Sequence, residues 1–170
     1  IEESVKAGGK DFFENPKDLN TGYSMPPRES EELRFDVIVG TTCLEAAVTE
    51  YYDDSTVIFD HANSFGAQAM CIVFENYCTD GHTLLNFRHE LEDRISAEIL
   101  EPMNLGQVTG GANGTKCCYI DLLIFDVQAF ADMVRPLLEQ YPGLSFYISD
   151  FRQHAPLLPL IETGAYPDDK

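Results

Sequence analysis

Three groups of residues in this chain could do chemistry: a cysteine at a strand-to-helix junction, a carboxylate inside an apolar run, and an acid-arginine-histidine triplet near the C-terminus. Cys43 stands in "VIVGTTCLEAA", on what reads as the first turn of a helix. Helix N-terminal amides favour a thiolate there and could make it a nucleophile. A thiol enzyme also needs a base, and His61, His82, His89 and His154 stand in no diagnostic spacing to Cys43. The ordinary reading is a cysteine buried under the helix start. Asp121 interrupts "CCYIDLLIF", and a buried carboxylate needs a partner. Arg152, Arg135 and Arg34 are the candidate mates. In "SDFRQHAP", Asp150, Arg152 and His154 are spaced i, i+2, i+4, which on a continued strand puts all three on one face. With Asp121 they form a candidate pocket, and Cys43, Asp121 and His154 are the candidate catalytic residues.

The segment "VTGGANGTKCCYIDLLIFD", residues 108–126, has the ingredients of a phosphate loop in the wrong order. A Walker loop needs G-x-x-x-x-G-K-[ST] between a strand and a helix. Here Thr115 separates Gly114 from Lys116, Cys117 takes the Ser/Thr position, and the residues from Cys117 onward read as a strand with no helix start. The physical alternative is a hairpin turning at Asn113-Gly114, residue types that tolerate positive φ. On the descending strand Cys118, Ile120, Leu122 and Ile124 share one face, and Cys117, Tyr119, Asp121 and Leu123 share the other. The adjacent cysteines therefore point apart and read as small core hydrophobes. "HELED", from His89, begins like H-E-x-x-H, but Asp93 replaces the second histidine. No metal site and no cofactor is predicted.

The elements that position these groups are set by hydrophobic period. "ELRFDVIVG" alternates as a strand. "TTCLEAAVTEYYDD" reads as a helix with a capping box from Thr42 to Glu45. "STVIFD" and "AQAMCIVFENY" read as strands. "TDGHTLLNFRHELEDRISAEILEP" carries Leu84, Phe87, Leu91, Ile95 and Ile99 at helical steps, ended by Pro102. "LGQVTGG" is a strand, "VQAFADMVRPLLEQY" a helix capped by Asp126 and kinked or shortened by Pro136, and "LSFYISDF" a strand. The order β-α-β-β-α-β, then β-α-β, predicts an α+β fold with a mixed, mainly antiparallel sheet and helices packed on it. Its first six elements match the ferredoxin-like order. Residues 1–31 read as an irregular arm anchored by Phe12, Phe13 and Tyr23, and residues 32–170 as one α+β domain with a Pro-broken tail.

Charge bounds the partners. The 170 residues hold 29 acids and 11 bases, a formal net charge of −18. Such a field repels phosphate backbones and anionic lipid, so neither nucleic acid nor membrane is an expected partner, and no run approaches the ~18 apolar residues of a membrane span. Five cysteines with no C-x-x-C spacing fit a reducing compartment, hence the cytoplasm. The leading expectation is a small acidic protein-binding module that engages a basic partner, for example an immunity-type inhibitor of a toxin nuclease. Glu90, Glu92, Asp93 and Glu98 on the outer face of the helix at 82–101 would contact it, together with Glu45, Glu50, Asp53 and Asp54. The second expectation is a small-ligand or enzymatic domain using Cys43 or the Asp121, Asp150, Arg152, His154 group.

Overall fold

A computed structural model gives the fold and describes residues 20–163. The strands are β1 (Thr21–Ser24), β2 (Val37–Thr42), β3 (Gln68–Glu75), β4 (Gly106–Gly114), β5 (Cys117–Ile124), β6 (Phe146–Asp150) and β7 (Leu158–Ile161). The helices are α1 (Glu45–Tyr52), α2 (Val57–Ser64), α3 (Gly81–Ile95) and α4 (Val127–Leu138). The strands form one seven-stranded sheet in the order β1-β2-β4-β5-β3-β6-β7, and every pairing is antiparallel. The class is the expected α+β, with no parallel pair among the described strands.

Strand alternation builds two cores, one on each side of the sheet. β5 lies at the centre with all of its residues buried. Its Cys118, Ile120, Leu122 and Ile124 pack with Met70, Ile72 and Phe74 of β3 under α3 and α4, which supply Leu84, Leu91, Ile95, Phe130 and Val134. Its Cys117 and Tyr119 face the other way, into a core with Val73, Tyr147, Phe151 and the buried side of α1 and α2. The paired cysteines thus serve opposite cores. Asp80 caps α3 by accepting from the His82 N–H at 3.2 Å, and Asp126 caps α4 by accepting from the Ala129 N–H at 3.0 Å. Pro136 sits inside α4, which ends at Leu138. After α3 the chain widens into a π turn, Ser96–Leu100, where the Glu101 N–H reaches back to the Ser96 carbonyl, before a last turn containing Pro102. A proline ring clashes with the carbonyl four residues earlier, and the widened turn gives it room.

Several local expectations are corrected. "STVIFD" opens α2 instead of forming a strand: the Ile58 N–H, an orphan donor of the first turn, is satisfied by the Glu50 carboxylate at 2.8 Å, and only Phe59 of this helix is buried. The hairpin turns at Thr115-Lys116, and Asn113 pairs with Cys118 inside the ladder. The cause is Asp36, whose Oδ2 accepts from the N–H groups of Lys116 and Cys117 at 2.8 and 2.9 Å, while its carbonyl accepts from the Thr115 N–H. Gly114 is required because the Asp36 carboxylate occupies the space a β-carbon would take. No capping box forms at α1, since the Thr42 hydroxyl accepts from the Leu44 N–H and Glu45 is already the first helical residue. β6 stops at Asp150 and the chain turns, so Asp150, Arg152 and His154 are not alternate residues of one strand. The arm contributes β1 and the tail contributes β7, both edge strands; Phe12 and Phe13 lie outside the described residues.

Candidate functional site

On the α1–α2 side of the sheet, Asp121 receives its partner from the turn that leads into β2. Arg34, fully buried, donates from Nη1 to Asp121 Oδ1 and from Nη2 to Oδ2 at 3.1 Å. The turn requires Arg34 at φ 67°, a left-handed conformation that a non-glycine residue adopts at a cost of about 1–2 kcal/mol. Tyrosines hold it there. Tyr51 and Tyr52 of α1 donate to the Leu33 and Arg34 carbonyls, each at 2.7 Å. The Tyr119 hydroxyl accepts from the Arg34 N–H at 3.0 Å and donates to Asp36 at 2.6 Å, and the Tyr23 hydroxyl of β1 accepts from Nη2 at 3.0 Å. Burial raises all four phenols, which keeps them protonated and able to donate. The guanidinium also lies over the Phe151 ring at 4.5 Å and the Tyr119 ring at 5.1 Å. The Arg34–Asp121 pair is therefore enclosed by aromatic rings. The adjacent void, about 10 Å³ between Thr42, Thr109, Asp121 and Phe151, admits about one water and no substrate.

The other residues of the predicted pocket take separate partners. Arg152 pairs with Asp60 of α2 at 2.9 Å, and His154 with Glu32 at 2.9 Å. Asp150 and Arg152 line a polar cavity of about 360 Å³ with Phe59, Asn63 and Gln68, in which neither Asp121 nor His154 takes part. Cys43 precedes α1 by two residues, its S–H donates to the Thr109 carbonyl at 3.2 Å, and burial pushes the thiol up to about 11. At neutral pH it holds little thiolate.

The four acids expected to form one outer face of α3 divide into two kinds. Glu90 and Asp93 are exposed. Glu98 is held by Arg94, which donates from Nε at 2.7 Å and also reaches the Tyr141 hydroxyl. Glu92 turns toward the sheet, where its carboxylate lies 3.2 Å from Nη1 of the buried Arg88, over Gly111 of β4. A side chain at Gly111 would meet both groups, so this glycine lets the pair sit against the strand. Burial raises the Glu92 carboxyl to about 8, and Arg88 offsets this only in part because no aligned hydrogen bond joins them: Glu92 Oε1 and Arg88 Nη1 are both unbonded. Apolar periodicity alone passes over the Arg88–Glu92 pair. The sequence does carry its signal, because residue 88 falls on the same helical stripe as Leu84, Leu91 and Ile95.

Among the described residues no three His, Cys, Asp or Glu side chains group as metal ligands, and no helix is long and apolar enough to cross a membrane. In comparisons with known proteins the chain matches no family model, no curated protein and no solved structure.

Proposed function

We propose that this chain is a protein-binding module that engages a basic partner through uncompensated carboxylates. One observation carries the reading: the described arginines are already used inside the molecule. Arg34, Arg94, Arg135 and Arg152 each pair with a carboxylate, Arg88 is buried against the Glu92 carboxyl, and Arg28 stacks on Phe35 and Tyr52. Glu90 and Asp93 of α3, Glu45 of α1, and Asp53 and Asp54 just after it are exposed and have no ion-pair partner among the described residues. Asp53 and Asp54 lie at the C-terminal end of α1, where the helix dipole disfavours negative charge, so local helix stability does not account for them. A cationic protein surface would neutralise these groups and be steered to them over long range.

A nuclease with a basic cleft built for phosphates is one such partner, which would make the chain an immunity-type inhibitor acting in a reducing compartment such as the cytoplasm. The test is Glu90→Lys/Asp93→Lys in the full chain, titrated against poly-L-lysine and a basic nuclease at several salt concentrations. Binding should weaken about tenfold or more, with a shallower salt dependence. Unchanged association after the reversal would remove this face as the contact.

A further inference from the structure

On the α3–α4 side of the sheet, β2 carries exposed apolar side chains. A bulge between Val37 and Val39 leaves Ile38 without a partner on β4, and Ile38 and Val39 each remain 45% exposed. Both line an open groove of about 840 Å³, together with Tyr77, Leu84, Leu85 and Asn113. Its floor contains an unsatisfied group. Asn113 is 7% exposed, and its Oδ1 has no donor among the described residues. A buried carbonyl oxygen without a donor costs about 1–3 kcal/mol, so Asn113 gains from a donor brought into the groove.

We propose that this groove docks an extended segment of the basic partner, with an apolar side chain against Ile38, Val39 and Leu85 and a peptide group on Asn113. The inference rests on the cationic-partner reading above and assigns it a recognition element. Asn113 selects a peptide because a primary amide is the donor-acceptor complement of a backbone unit: it accepts from an N–H and donates to a C=O, and rotation of its terminal bond presents either atom. Among the described residues the groove lining contains no charged side chain, so it discriminates by shape and apolar contact. Charge selects the sign. Asp80, beside lining residues Thr79 and Gly81, is held ionised by hydrogen bonds from the Thr83 hydroxyl and the His82 N–H, and the chain as a whole is at −18. A second copy would bring two surfaces of that same sign together.

Cys78 is a native reporter. It lines the groove, is half-buried, and its S–H donates to the Asp80 carbonyl at 3.3 Å, whereas Cys71, Cys117 and Cys118 are buried and Cys43 is held protonated. The experiment uses the full chain and a capped Lys-Lys-Leu-Val-Lys-Lys peptide, with a Lys-Lys-Ser-Ser-Lys-Lys peptide and a Glu-Glu-Leu-Val-Glu-Glu peptide as comparisons. It reads affinity and the rate of Cys78 alkylation by peptide mapping. The Leu-Val lysine peptide should bind about tenfold tighter than its serine counterpart and slow Cys78 alkylation about fivefold or more.

Val39→Ser and Asn113→Ala should each remove most of that preference. Asn113→Ala deletes a buried oxygen that has no donor among the described residues and so does not threaten the fold. Glu90→Lys/Asp93→Lys should weaken both lysine peptides alike and leave their ratio intact. If the two lysine peptides bind equally and Cys78 reacts at its free rate, the groove proposal falls while the acidic-face reading survives. If instead the ratio persists but charge reversal changes neither affinity, the groove stands and the acidic face does not. Equal binding of the glutamate peptide would overturn a cationic occupant. Faster Cys78 alkylation in Phe12→Ala/Phe13→Ala alone would overturn it in favour of the chain's own N-terminal segment, and a concentration-dependent dimer that protects Cys78 would do so in favour of a second copy.

Discussion

Removing one partner of the Arg34–Asp121 pair leaves the other charge buried among aromatic rings without its counter-charge. Asp121→Ala should therefore cost about 3–5 kcal/mol of unfolding free energy, and Arg34→Met a similar amount. The double variant Arg34→Met/Asp121→Leu should be less damaged than either single change, because it leaves no orphan charge. Urea denaturation of the four proteins checks this, and additive losses would show that the two residues do not act as a pair. The need for this pair was legible in the sequence, since a lone carboxylate in a strand apolar on both faces must be neutralised. Its mate could only be narrowed to three arginines: Arg34 lies 87 positions away and arrives through a left-handed turn fixed by tyrosines from three other elements. Cys43 illustrates the opposite case. Its position before a helix left both activation and simple burial open; α1 begins two residues later and the thiol is hydrogen-bonded to Thr109 of the neighbouring strand β4.

At the scale of elements, long periodic segments declared themselves and short ones did not. α3, α4, β4, β5 and β6 follow from apolar spacing and local caps. α2 has one buried side chain and takes a cap from Glu50 outside its own window, so a β-branched run read as a strand. The hairpin turn is likewise set by Asp36, about eighty residues upstream, and not by the Asn-Gly pair. α3 conceals a further property on its sheet-facing side. Burial raises Glu92 from its ordinary 4.5 to about 8, so the folded state holds this proton more tightly than the unfolded chain. The stabilising contribution is complete below about pH 4.5 and is lost progressively as the pH rises through about 8. Glu92→Gln, which mimics the protonated group, should match the parent near pH 4.5 and exceed it at pH 8 by on the order of 2–4 kcal/mol. Urea midpoints across that range provide the measurement. A variant less stable than the parent at pH 8 would show that the Arg88–Glu92 ion pair outweighs desolvation.

The whole molecule folds against its own charge. Residues 20–163 carry 22 Asp and Glu against seven Lys and Arg, and five of the seven are already paired. The remaining carboxylates repel one another more strongly in the compact state than in the expanded chain, a cost that salt reduces by screening. Three of the five pairs, those of Arg94, Arg135 and Arg152, are solvent-exposed and weakly stabilising, so screening them loses little. Raising NaCl from about 20 mM to about 500 mM, across which the screening length falls several-fold, should therefore raise Tm by a few degrees. Glu90→Gln/Asp93→Asn should raise the low-salt Tm and shrink the increment, because it removes part of the repulsion that salt otherwise screens. A Tm that falls with salt would mean that attractive pairs dominate and that the surface acids are already balanced. The same field links stability to binding. A cationic partner relieves the repulsion that salt relieves, so poly-L-lysine should stabilise the parent at low salt, stabilise Glu90→Gln/Asp93→Asn less, and lose its effect as salt rises.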